Sequence, residues 1–102
     1  MYKLDISGHA EQDLDRIIAY IAEKLKAPKA AADFADAVFD CYGHLEDNPY
    51  IYEQCRDPKL RQEGYRRAVV KNYILTYKIY EEAKMVVIHR FIYGRQDYVS
   101  LI

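Results

Sequence analysis

The chain has 102 residues, of which 51% are hydrophobic and 30% charged, with a formal charge of −1. At that size one core must carry the whole structure, so residues 1–102 read as a single domain, and the composition excludes a disordered or fibrous chain. No apolar run approaches the roughly 20 residues that span a bilayer, and MYKLDISGHAEQDLD lacks an apolar leader, so no membrane partner and a cytoplasmic location are expected.

In chain order, YKLDI (residues 2–6) alternates as a short strand, and Ser7 follows as a helix cap. Ala10, Leu14, Ile17, Ile18, Ile21 and Leu25 then recur at helical spacing, with Lys24 and Lys26 suited to the negative end of a helix closing near Ala27. Pro28 fits the first turn of a second helix, which runs to about Leu45 on a stripe of Phe34, Val38, Cys41, Tyr42 and Leu45. The small residues Ala30, Ala31, Ala32, Ala35 and Ala37 allow close approach of a neighbour, so an antiparallel helical hairpin is expected. Asn48-Pro49 stops the second helix. Tyr50 to Glu63, with Pro58 and many charges, shows no clean period and reads as a loop.

From Tyr65 the pattern becomes that of strands: YRRAVVK, YILTYKIY and MVVIHRFIY, the last two joined by Glu81 to Lys84. Three antiparallel strands result, with the N-terminal strand available to the same sheet. Met85 to Ile88 is apolar on both faces and belongs in the sheet centre. Tyr73, Leu75, Tyr77 and Ile79 share one face as core residues. The fold class is α+β: a strand, a helical hairpin and a three-stranded meander in one sheet.

Charge is unevenly distributed. Residues 1–55 hold 5 Lys/Arg against 11 Asp/Glu, a net of −6, whereas residues 56–95 hold 10 against 4, a net of +6. Such a layout favours partners of both signs, or mutual neutralisation of the two halves.

Little in the sequence supports metal or nucleophile chemistry. Cys41 and Cys55 lack metal-ligand spacing and read as free thiols, so no metal and no cofactor are expected. Ser7, Ser100 and Thr76 sit in no nucleophile motif, and no HExxH, phosphate loop or GxGxxG occurs. His89, in the most apolar strand, reads as structural, and Asp13/Asp15 and Glu81/Glu82 read as solvated carboxylates. No catalytic residue is assigned. What stands out is arginine with tyrosine: Arg66-Arg67, Lys71, Arg90 and Arg95 beside Tyr65, Tyr73, Tyr77, Tyr80, Tyr93 and Tyr98. That chemistry suits nucleic-acid binding or a metal-free ribonuclease. Alternatively, these arginines pair with the acidic half.

The element order, with the segments AEQDLDRIIAYI, LEDNP, EGYRRAVVKNYILTYKIY and VVIHRFIYGRQDY, resembles the RelE/ParE superfamily of type II toxin-antitoxin toxins along essentially the whole chain. The resemblance implies a toxin neutralised by a cognate antitoxin and joined to it in an oligomeric complex. In RelE- and YoeB-like branches, ribosome-dependent mRNA endoribonucleases, a catalytic arginine occupies the place of Ile74. The GYR, NY-x-L-x-Y-x-I and R-F-I-Y-G-R-Q-D segments resemble the ParE-like branch, which implies DNA gyrase as target. Arg66, Arg90, Gly94, Arg95 and Asp97 fall at marked positions, and Tyr93 stands where that branch commonly has histidine. Arg66, Arg67, Lys71, Arg90, Tyr93, Arg95 and Tyr98 are therefore target-binding candidates. Ala31, Ala35 and Phe39, apolar and off the main stripe, are antitoxin-binding candidates. The alternatives are a ribosome- and mRNA-directed nuclease, metal-independent, and an inactive binding partner.

Overall fold

The computed structural model describes residues 1–94. Strand β1 (Lys3–Ile6) leads into helix α1 (Gly8–Ala19), which passes directly into a π-helical turn (Tyr20–Lys24). Helix α2 (Pro28–Asp47) follows, then a 3₁₀ turn (Pro49–Ile51), a short helix α3 (Pro58–Gln62), and strands β2 (Tyr65–Val70), β3 (Tyr73–Tyr80) and β4 (Met85–Tyr93).

Local chemistry explains most of these boundaries. Ser7 is in extended conformation, and its Oγ accepts from the Ala10 N–H at 3.1 Å. The same hydroxyl donates to the His89 carbonyl at 2.9 Å, and the Ser7 N–H bonds the Ile88 carbonyl at 3.0 Å. One small residue therefore both starts α1 and fastens it to β4. Tyr42, late in α2, lies within electrostatic reach of Glu11, early in α1, as an antiparallel hairpin requires.

The stretch expected to be loop is more ordered than its lack of period suggests. Asp57 accepts from the Leu60 N–H at 3.0 Å, and Pro58 occupies the first turn of α3, an arrangement in which Asp and Pro each take their favoured helix-start position. Leu60 of this helix and the preceding Cys55 are both buried. The preceding residues line the edge of β2, with Cys55 N–H bonded to the Tyr65 carbonyl and Arg67 N–H to the Glu53 carbonyl, each at 3.0 Å. A five-residue helix is too short to show periodicity; its cap was the readable signal.

The sheet order is β1-β4-β3-β2, with β1 parallel to β4 and the remaining pairs antiparallel, so the expected central strand is central. Helix α1 packs along β4, and α2 touches both β1 and β2. The core they enclose joins Ile17, Phe34, Val38 and Leu45 to Leu75, Tyr77, Val86 and Ile88, with Tyr73 and Ile79 packed at its margin. Opposite β3, Thr76 pairs with Arg90 but Tyr77 with Ile88, making His89 the extra residue of a β-bulge. Beyond that bulge the core-facing parity of β4 shifts, so Phe91 joins the main core cluster while Ile92, also buried, lies outside it. Arg90 therefore does not share one face with both Ile88 and Ile92, as simple alternation would have it.

Replacing Ser7 with alanine removes a helix cap and the α1–β4 clip together. A loss of about 1–2 kcal/mol in urea unfolding is expected; a loss below about 0.3 kcal/mol would mean that neither bond matters.

Candidate functional site

Asp13 sits in the interior of α1, only 1% exposed. Its Oδ2 accepts from Arg90 Nε at 2.7 Å and from the Phe91 N–H at 3.1 Å, while Oδ1 accepts from Arg90 Nη2 at 3.1 Å and Arg16 Nη2 at 2.7 Å. Burial alone would raise its pKa, yet these donors outweigh burial and hold the carboxyl below its ordinary 3.8. The expectation of a solvated Asp13 is thus overturned. Asp13 occupies the Ala10–Ile17 stripe, and a carboxylate on a buried stripe must find donors. Glu81, by contrast, is solvent-exposed, but it is not idle: its bond with the Lys84 ammonium, followed by those it accepts from the Tyr50 and Tyr2 hydroxyls at 2.6 and 2.7 Å, lowers its pKa to about 2.

Beside the Asp13 network lies a groove of about 950 Å³. One wall is the end of α1, the π turn and the start of α2, contributing Ile17, Tyr20, Ile21, Leu25 and Phe34; the other is the β2–β3 turn and the end of β4, contributing Tyr73, Phe91 and Tyr93. Arg16, Asp33, Lys71 and Arg90 supply its charges. The π turn widens this wall: the Leu25 N–H reaches back five residues to the Tyr20 carbonyl at 3.1 Å, and a left-handed Lys26 (φ 52°) turns the chain into α2. A smaller cleft of about 250 Å³, bordered by Arg67, Val69, Lys71, Ile74 and Gly94, opens nearby.

The structure gathers some of the target-binding candidates and separates others. Lys71, Arg90 and Tyr93 meet at the groove, and Lys71 and Tyr93 also border the cleft with Arg67. Arg66 stands apart, donating to the Tyr52 carbonyl at 2.7 Å with its guanidinium over the Tyr50 ring. Arg67, on the opposite face of β2, donates to Glu53 Oε1 at 2.6 Å, and its side chain is only 11% exposed. Tyr93 packs edge-on against Tyr73. Arg95 and Tyr98 lie outside the described residues, as does Asp97.

Among the antitoxin-binding candidates, Ala31 is 4% exposed and cannot belong to an outer strip. It precedes Phe34 by three residues and simply extends the core stripe of α2 by one turn. Ala35 is half-buried, whereas Phe39 is 63% exposed, its ring edge-on to Tyr42.

The reactive side chains are subdued. Burial pushes both thiols up, Cys55 to about 11, so neither is a ready nucleophile at neutral pH. Burial, followed by the charges of Arg90 and His9, lowers the His89 pKa; its ring packs on Tyr65 and its buried Nε2 has no hydrogen-bond partner. Such a histidine is neutral near pH 7. Among the described residues no group of three or more His, Cys, Asp or Glu could hold a metal ion, and no helix is long and apolar enough to cross a membrane.

Residues 4–98 match the family described as ParE toxin of type II toxin-antitoxin system, parDE. The chain belongs to the ParE toxin family. Two solved structures share the fold. The toxin-antitoxin complex RelBE2 from Mycobacterium tuberculosis is 24% identical, with a TM-score of 0.62 over 90% of this chain and 96% of that one. A chromosomal ParDE toxin-antitoxin system from P. aeruginosa is 18% identical, with a TM-score of 0.71 over 91% of this chain and 96% of that one. No curated protein matches the sequence. The α+β fold and the toxin-family membership expected from the sequence are both shown.

In this ParE-family chain, Asp13→Asn leaves Arg90 and Arg16 without their shared carboxylate and should cost about 3 kcal/mol or more in denaturant unfolding. Because the folded pKa of Asp13 lies below 3.8, its stabilisation is complete above the unfolded value and fades as pH falls through 3.8 toward the folded value. The variant should therefore lose less stability than the native chain between about pH 5 and pH 2. Equal acid sensitivity of the two would show that Asp13 does not govern that window.

Proposed function

We propose that this ParE-family toxin arrests growth by acting on DNA gyrase rather than by cutting ribosome-bound mRNA, and that a cognate antitoxin holds it in check. The observation that carries the choice of target is Ile74. It takes the place where the nuclease branches carry a catalytic arginine, and it is 4% exposed. It pairs with Val69 on one side and Ile92 on the other, so this row of the sheet is apolar. A phosphoryl transition state there would lack a preorganised cation, a deficit of about 10²–10³ in rate. The neighbouring groups do not replace it: Arg67 is engaged by Glu53, and His89 is held neutral by burial and by nearby positive charge.

A protein partner is supported by the family itself, described as one half of a two-protein system, and by the two structural neighbours, both toxin-antitoxin systems. Cytoplasmic action follows from either target. Arg95, with Tyr98, remains part of the proposed target-binding set on the strength of the sequence resemblance.

With purified gyrase and relaxed plasmid, the chain should block supercoiling or accumulate cleaved plasmid, while primer extension on ribosome-bound mRNA after induction should show no codon-positioned cuts. Such cuts, with gyrase unaffected, would reverse the assignment. Arg95→Ala should abolish growth inhibition yet keep the melting temperature within a few degrees; a toxic, normally stable variant would remove Arg95 from the set.

A further inference from the structure

The fold treats the two edges of its sheet differently. On the β2 edge the chain covers itself: residues 53–55 run alongside, the Cys55 N–H bonding the Tyr65 carbonyl and the Arg67 N–H the Glu53 carbonyl, with Gln54 bridged to Arg66. At the other edge lies β1, whose only strand neighbour among the described residues is β4. The Lys3 N–H bonds the Lys84 carbonyl and the Ser7 N–H the Ile88 carbonyl, so odd-numbered residues turn their backbone groups toward β4. The even-numbered Leu4 and Ile6 therefore turn theirs outward. Tyr2 turns the same way, its N–H taken by the Glu46 carbonyl at 2.9 Å, and no described strand pairs with this edge. A row of free N–H and C=O groups is a template for another strand.

The side chains of β1 add a register to that template. Leu4 and Ile6 are half-buried and pack at the margin of the core, while Lys3 and Asp5 stand exposed on the opposite face, in no ion pair with a described residue. Charges on an edge strand ordinarily guard it against pairing. Here they are of opposite sign and lie on either side of Leu4, so a second β1 running antiparallel, with Leu4 opposite Leu4, sets each lysine against the other copy's aspartate. Moving the twofold axis to Asp5 would bring the two aspartates face to face, and moving it to Lys3 the two lysines, which is destabilising.

We propose that two copies of this chain pair through β1 about a twofold axis at Leu4, joining their two sheets into one continuous sheet. The two Leu4 residues exchange N–H···O bonds, and the Ile6 N–H of each copy meets the Tyr2 carbonyl of the other. Two Lys3–Asp5 pairs close the outer face at the non-hydrogen-bonded positions, where side chains come closest. The contact is isologous, so it closes at two copies. Strands as short as β1 bury little area, and the pairing is accordingly weak and concentration-dependent. No residue of β1 lines the groove beside the π turn, so the two surfaces are separate.

Sedimentation velocity of the purified chain is the test. At low salt the native chain should pass from monomer to dimer as its concentration rises, and high salt should weaken the dimer, since exposed ion pairs are screened. Leu4→Pro removes the outward N–H without costing β1 a bond to β4 and should remain monomeric. Lys3→Asp and Asp5→Lys should each weaken self-association by about tenfold or more, because both cross-strand pairs become like-charged. Mixed in equal amounts, these two variants should associate as tightly as the native chain, each supplying the sign that the other lacks. Both substitutions lie on the exposed face, so they keep the test decisive even where the proline lowers stability. A native chain that stays monomeric at every concentration overturns the proposal. So does a dimer that a folded Leu4→Pro chain still forms, and so does a mixture of the two charge variants that associates no better than either alone.

Discussion

A carboxylate buried in the first helix sets the terms for the rest of this fold. Asp13 cannot stay charged in the interior without donors, and the chain meets that demand with Arg90, Arg16 and the Phe91 N–H. Two of those donor residues belong to β4, some 77 and 78 positions away in sequence. The network therefore fixes where α1 crosses the sheet beyond the end of β1. It is paired with the Ser7 clip six residues earlier in the chain, so α1 is tied to β4 at its start and at its middle.

The bulge at His89 belongs to the same arrangement. An extra residue in β4 shifts the parity of everything after it, bringing Phe91 into the core and the Phe91 N–H and Arg90 side chain onto Asp13. On the helix side, α1 does not end with the usual turn but opens into a π segment. With α1 anchored along β4 and the π turn widening its far end, space remains between the helices and the sheet end. The groove is what those two constraints leave behind.

The uneven charge acquires a similar explanation in part. Acid from the first half meets base from the second at Asp13–Arg90 and at Glu53–Arg67, so some of the basic half is neutralised internally. Arg66 is spent on a carbonyl and an aromatic ring. Lys71 is left at the groove and cleft, exposed and outside the ion pairs of the described residues. Adjacent arginines in sequence, Arg66 and Arg67, end on opposite faces of β2 because side chains alternate along a strand. A cluster of basic letters is therefore not a basic patch.

Elements and their order were legible from the letters alone, since helical periodicity, the Ser7 and Pro28 starts, the Asn48-Pro49 stop and runs of Val, Ile and Tyr are local properties. So was the family resemblance, carried by segments in order along the chain. Even α3 had a local signal in Asp57-Pro58, masked by its shortness. Ala31 was misplaced because a stripe read from Phe34 onward omits its preceding turn. What the sequence could not reveal is whatever depends on residues distant in the chain meeting in space: the burial of Asp13, the register shift at His89, the division of the arginines between internal partners and solvent, and the groove. Those were decided by tertiary structure, because the energy of a buried charge depends on the donors brought to it, and a cavity is a property of surfaces that no single segment contains.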